Sequence, residues 1–144
     1  MNAKKILEKL KTDHNFSTLQ PVSKIKVETT TENLKLSKEF TEFYLSCNGL
    51  THEWFRVLPI FDTENPKSTW DSIERANNAS ESKFQLDSDF LSRFSVFAEI
   101  GAGECAIFDK ADGAIWYEEN GDFHRTTLDL FEFIETCLRE VDEI

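Results

Sequence analysis

The sequence predicts an α+β fold in which a mainly antiparallel sheet is packed by helices. Three observations predict it: an amphipathic helix over residues 36–47, short strands joined by tight turns from residue 95 onward, and a second amphipathic helix that closes the chain. With 144 residues, thirteen Phe and three Trp, the chain has the apolar bulk for one core. The expectation is a single domain over residues 1–144, with residues 1–24 as a peripheral helix and a connection. No internal repeat and no long linker divides it.

Taken in order, residues 3–11 set Ile6 and Leu10 four apart among Lys4, Lys5 and Lys9, which predicts a short helix lying on the domain by one stripe. Residues 15–31 mix Ser, Thr and Pro21 with little periodicity and read as connection, with a brief extended piece at 25–27. In the helix over 36–47, Ser37 is the expected N-cap. Phe40, Phe43, Tyr44 and Cys47 form its buried face, and Asn48-Gly49 ends it. Residues 52–61 read as a strand or strand pair limited by Pro59. Ser68 is then expected to cap a helix burying Trp70, Ile73 and Ala76, and residues 84–94 to end in a turn of helix.

Four strands follow at 96–100, 105–109, 114–118 and 123–126. Their turns are residues 101–103, the segment Lys110-Ala111-Asp112-Gly113, and Asn120-Gly121, a strong two-residue hairpin signal. Thr126 or Thr127 is the expected cap of the last helix, whose Phe131, Ile134, Cys137, Leu138 and Val141 repeat at helical spacing.

Charge narrows the function. The chain has 16 basic and 27 acidic residues, a net −11, and its two halves differ: residues 1–72 are neutral, with ten of each sign, whereas residues 73–144 hold six against seventeen and carry the whole excess. A field of that sign repels nucleic acid and anionic lipid and draws basic protein surfaces. No apolar run approaches the roughly 20 residues of a membrane span, and the first ten residues lack the continuous apolar stretch of a secretory signal, so the expected location is the cytoplasm.

Residue chemistry points away from catalysis. Cys47, Cys105 and Cys137 are odd in number, far apart and set in apolar segments, as reduced core thiols are. Cys47 and His52 are the closest Cys and His by sequence, yet Cys47 falls on the apolar helix face. His14, His52 and His124 lack metal-ligand spacing, and residues 101–103 precede a strand rather than a phosphate-binding helix. The expectation is no enzyme, no cofactor and no metal.

Three features occur in a set order: Leu45-Ser46-Cys47-Asn48-Gly49-Leu50 at a helix end, a strand leading to Val57-Leu58-Pro59, and Ile107-Phe108-Asp109 answered by Gly113-Ala114-Ile115-Trp116-Tyr117. A closing helix follows with Phe131-Glu132-Phe133-Ile134. Over about residues 25–140 this combination resembles the SMI1/KNR4, or SUKH, superfamily, whose bacterial members are frequently immunity proteins for polymorphic toxins. The polar insertion at 62–84 departs from that pattern. The resemblance implies a mixed fold that binds and neutralises a partner protein.

On a strand, Trp116 and Glu118 face one way while Ile115 and Tyr117 face the other, which makes Trp116 the better surface aromatic. Together with the charge, the resemblance implies an acidic sheet surface of Glu104, Asp112, Trp116, Glu118 and Asp122 that covers a basic, nuclease-like toxin domain, with neither nucleic acid nor membrane as partner. The alternatives are a scaffold or regulatory interaction protein of the same fold and, further off, a small-ligand-binding protein.

Overall fold

Seven strands follow one another across a single antiparallel meander in chain order: β1 (Ser17–Thr18), β2 (Leu50–His52), β3 (Phe55–Val57), β4 (Phe94–Gly101), β5 (Glu104–Asp109), β6 (Ile115–Glu119) and β7 (Asp122–Arg125). The computed structural model describes residues 3–143; residues 1, 2 and 144 of the expected domain lie outside them. Six helices accompany the sheet among the described residues: α1 (Ala3–Asp13), α2 (Lys24–Asn33), α3 (Lys38–Ser46), α4 (Ile73–Ala76), α5 (Ser88–Arg93) and α6 (Leu130–Asp142).

Each expected hairpin of the second half forms, because each turn has the residues its backbone needs. Between β6 and β7, Asn120 and Gly121 both take positive φ, 52° and 87°, the geometry of a tight turn whose twist matches the strands. Between β5 and β6, the buried Asp109 carboxylate accepts the Ala111 N–H at 2.9 Å and pairs with Arg93 at 2.9 Å. The Asp and Gly of the sequence pattern therefore build a turn.

The Cys47-Asn48-Gly49 segment locks α3 to the sheet. Asn48 is buried, and its side chain holds a residue of the segment just after β3 as a strand partner would, accepting the Ile60 N–H at 2.7 Å and donating to the Ile60 carbonyl at 2.8 Å. Gly49 has φ +90°, and a Cβ there would sit 2.8 Å from the Val57 carbonyl oxygen, so only glycine fits. Tyr44 completes the lock, donating to the Leu58 carbonyl at 2.6 Å.

Helices α3 and α6 cover one face of the sheet: Phe40 meets Phe97 and Phe108 edge-on, and Phe97 meets Phe133. The side chains of Phe40, Phe43, Phe97 and Ile134 are fully buried, each contributing about 1.5–3 kcal/mol of transfer free energy. Phe94 lies on the opposite face, where Phe90 of α5 and Trp116 pack against it. On that same face Arg56 and Glu99, cross-strand partners on β3 and β4, join Asp71 and Lys83 in an ion-pair network.

Four local expectations are corrected. The segment expected to be a connection with an extended piece at 25–27 is helix α2: the Ser23 hydroxyl caps it by accepting the Lys26 N–H, and Val27, Thr30 and Thr31 form a buried stripe that packs beside α3. That packing overrides the β preference of Val and Thr. Helix α4 starts at Ile73, capped by Ser72 rather than Ser68, which leaves Trp70 outside it and 58 % exposed. The cap of α6 is Asp129 in a reciprocal capping box with Glu132, because Thr126 is held by the Ile115 carbonyl. Residues 15–18 add the edge strand β1 and bury Phe16, so the N-terminal region contributes to sheet and core.

Candidate functional site

At the tip of the β6–β7 hairpin, the C-terminal half of α6 stands off from the sheet and leaves a groove of about 320 Å³. Its apolar surface comes from Trp54, Ile100, Tyr117, Leu128, Phe133 and Cys137. Four carboxylates, Glu104, Glu118, Glu119 and Glu140, line it as well, and no Lys, Arg or His does.

Local structure explains how each side chain arrives there. Trp54 is delivered by the two-residue turn between β2 and β3, where Glu53 takes φ +53°. Its ring borders Gly101, whose Cβ would come 3.6 Å from Trp54 Cε3. Tyr117 points toward α6 and stacks on His124 of β7, with ring centroids 5.3 Å apart. Glu140 lies three residues beyond Cys137, on the same side of α6.

The carboxylates differ in what they already do. Glu104 accepts the Asn120 N–H at 2.7 Å and Glu118 accepts the Cys105 N–H at 3.1 Å, so both brace the hairpin. Glu119 and Glu140 are exposed, and among the described residues neither has a side-chain hydrogen bond or an ion pair. Elsewhere in the second half Asp109 and Asp112 are held by Arg93 and Arg125.

Of the five residues expected at the partner surface, Glu104 and Glu118 line the groove, and Asp122 is exposed opposite Glu119 in the hairpin register. The other two lie elsewhere. Asp112 sits in the β5–β6 turn with Arg125 at 2.5 Å, and that guanidinium, with the Ala114 N–H, holds its carboxyl below the ordinary range. Trp116 projects to the face covered by α5, half-buried against Phe94, with Arg125 stacked over its ring and its indole N–H buried without an acceptor. The expected acidic surface is thus divided between the two faces of the sheet. The sequence expectation did not include Trp54, Tyr117, Glu119 and Glu140; strand alternation sets Tyr117 and Glu119 together on the face opposite Trp116 and Glu118, and that is the signal that finds them.

A second acidic recess of about 440 Å³ lies between α1, α3 and the start of α6, with Glu39, Glu42, Asp129, Glu132 and Glu135 around Lys9. Most of its charge is occupied structurally. Asp129 and Glu132 form the capping box, and Glu39 accepts the Leu130 N–H. Burial, then the Asp129 charge, raises the Glu39 carboxyl above its ordinary value.

Nucleophilic chemistry finds no support in the thiols. Burial pushes Cys47 up to about 12, and burial with a neighbouring glutamate raises Cys105 and Cys137 further, so all three are protonated at neutral pH. His52 is turned to Asp142 at 2.8 Å and not to Cys47. Among the described residues no group of three His, Cys, Asp or Glu is arranged to hold a metal ion, and no helix is long and apolar enough to cross a membrane.

Fold and groove together define an α+β protein with an acidic recess walled by Trp54 and Tyr117. The family model described as SMI1 / KNR4 family (SUKH-1) matches residues 25–136, and the chain belongs to that family. Comparison with curated proteins and with solved structures gives no match.

Proposed function

We propose that the chain is an immunity-type protein that neutralises a toxin by covering a basic, nuclease-like domain. One observation carries this reading: Glu119 and Glu140 stand unpaired on a hairpin and a helix, in a half of the chain that holds the entire −11. A domain that binds a polyanion must present Lys and Arg, and the carboxylates at 119 and 140 can meet such a surface without first giving up a partner of their own. Membership of the family supports a protein as partner. The binding act itself is occlusion, so it requires no reactive group, in keeping with three protonated thiols.

The test is rescue of growth. The tagged chain is used to capture its partner from the source cells at low salt, and the partner is then expressed alone or with the chain. Arrest by the partner alone, relieved by the wild-type chain and not by Glu119→Lys/Glu140→Lys, is the expected result. A captured partner that is harmless, or one equally well neutralised by the charge-reversed variant, overturns the proposal.

A further inference from the structure

We infer that the groove between the β6–β7 hairpin and α6 receives an arginine side chain projected by the partner protein, a refinement that rests on the reading above. Size comes first. About 320 Å³ is at the low end of ligand pockets, which run roughly 300–1,000 Å³, so the groove accommodates one long side chain.

The walls then select its chemistry. Trp54 and Tyr117, whose ring is stacked on His124 on one side, supply aromatic walls, Cys137 and Phe133 apolar surface, and Glu119 and Glu140 two carboxylates with no partner of their own. A guanidinium matches all three: its planar head stacks on an aromatic ring, its fork donates two hydrogen bonds to one carboxylate, and its three-carbon stem rests on the apolar surface. An ammonium satisfies the charge but neither stacks flat nor bonds bidentately, which places arginine ahead of lysine. A guanidinium over an indole is found within the molecule itself, where Arg75 lies over Trp70 with its guanidinium carbon 4.4 Å from the ring centroid.

The acidic recess at the start of α6 lacks this combination. Two of its carboxylates cap α6 and a third accepts the Leu130 N–H, Lys9 already lies among them, and neither Trp nor Tyr lines it.

The test titrates the ¹⁵N-labelled full chain with acetyl-Gly-Arg-Gly-amide and with the same peptide carrying lysine or the uncharged citrulline, following amide and indole resonances. The arginine peptide is expected to shift the Trp54 indole and the amides around Tyr117 and Glu140 saturably. Citrulline should bind about tenfold more weakly or worse, with lysine between. Glu119→Gln/Glu140→Gln should lose a similar factor while melting as wild type. Equal binding of citrulline, shifts centred on Glu39 and Glu42, or tighter binding of free putrescine than of the peptide would each overturn the inference. No partner is present in this experiment. Its failure beside intact growth rescue removes the arginine site alone, and failed rescue beside intact peptide binding removes the neutralisation reading alone.

Discussion

Asn48 shows how a single residue ties two elements together. Its carboxamide takes the place of a missing strand, using its oxygen and its nitrogen on the N–H and carbonyl of Ile60 at 2.7 and 2.8 Å in a site closed to water. Replacing it with alanine strands both backbone groups, at a cost of roughly 1–3 kcal/mol each. Asn48→Ala is therefore expected to lose about 2–6 kcal/mol in urea unfolding, a large part of a typical 5–15 kcal/mol. A loss under about 0.5 kcal/mol, the range of an ordinary surface change, would show that the lock contributes little. Read this way, the Asn-Gly of the family-like motif is a structural device rather than a reactive one. Asn77 repeats it on β4, pairing with both the N–H and carbonyl of Val96 at 2.7 and 2.8 Å.

Helix α6 carries its weight at both ends. Its capping box fixes the start, and near its C-terminus Asp142 accepts from His14 just after α1 and from His52 of β2, closing three elements with one carboxylate. These hydrogen bonds, that of His14 first, hold the Asp142 carboxyl below its ordinary value. A depressed carboxylate contributes stability that is fully present above the unfolded value near 3.9 and is lost as pH falls through the folded one. Asp142→Asn should thus melt below wild type at pH 6, and the two curves should converge below about pH 4. A gap that persists unchanged into that acidic range would mean the aspartate acts through packing and not through its charge.

What the sequence makes legible at this scale follows from how local the cause is. The β5–β6 and β6–β7 hairpins are readable because Asp109, Gly113, Asn120 and Gly121 act within their own turns, and α3 and α6 because their apolar stripes are regular. Helix α2 is not, since three Thr and a Val become helical only by packing against α3. The Asp142 clamp and the groove are hidden for the same reason. Trp54 and Glu140 come to line one groove only after the five strands β3 to β7, which separate them in the chain, have assembled, and Trp116 draws notice by type while its strand turns it under α5.

Across the whole molecule, charge and rigidity act together. The first half is electrically neutral and supplies α1 to α3, part of the core; the second half carries −11 and builds the four strands and helix that frame the groove. Such a field speeds encounter with a basic partner and is screened over about 10 Å at 0.1 M salt. Because the hairpin and helix hold the backbones of Glu119 and Glu140 in place, engagement orders their side chains and not the segments that carry them, which leaves more of that attraction as affinity.

The measurement that tests this most directly is calorimetric titration of the full chain against its captured partner at several salt concentrations, for wild type, Glu119→Lys/Glu140→Lys and Asp112→Asn. We predict affinity that falls steeply with salt, at least about a hundredfold loss on charge reversal in the groove, and little change at Asp112, whose charge Arg125 already holds. Affinity that is flat with salt, or that survives reversal at 119 and 140 while failing at Asp112, would contradict the account and move the interface to the other end of the sheet.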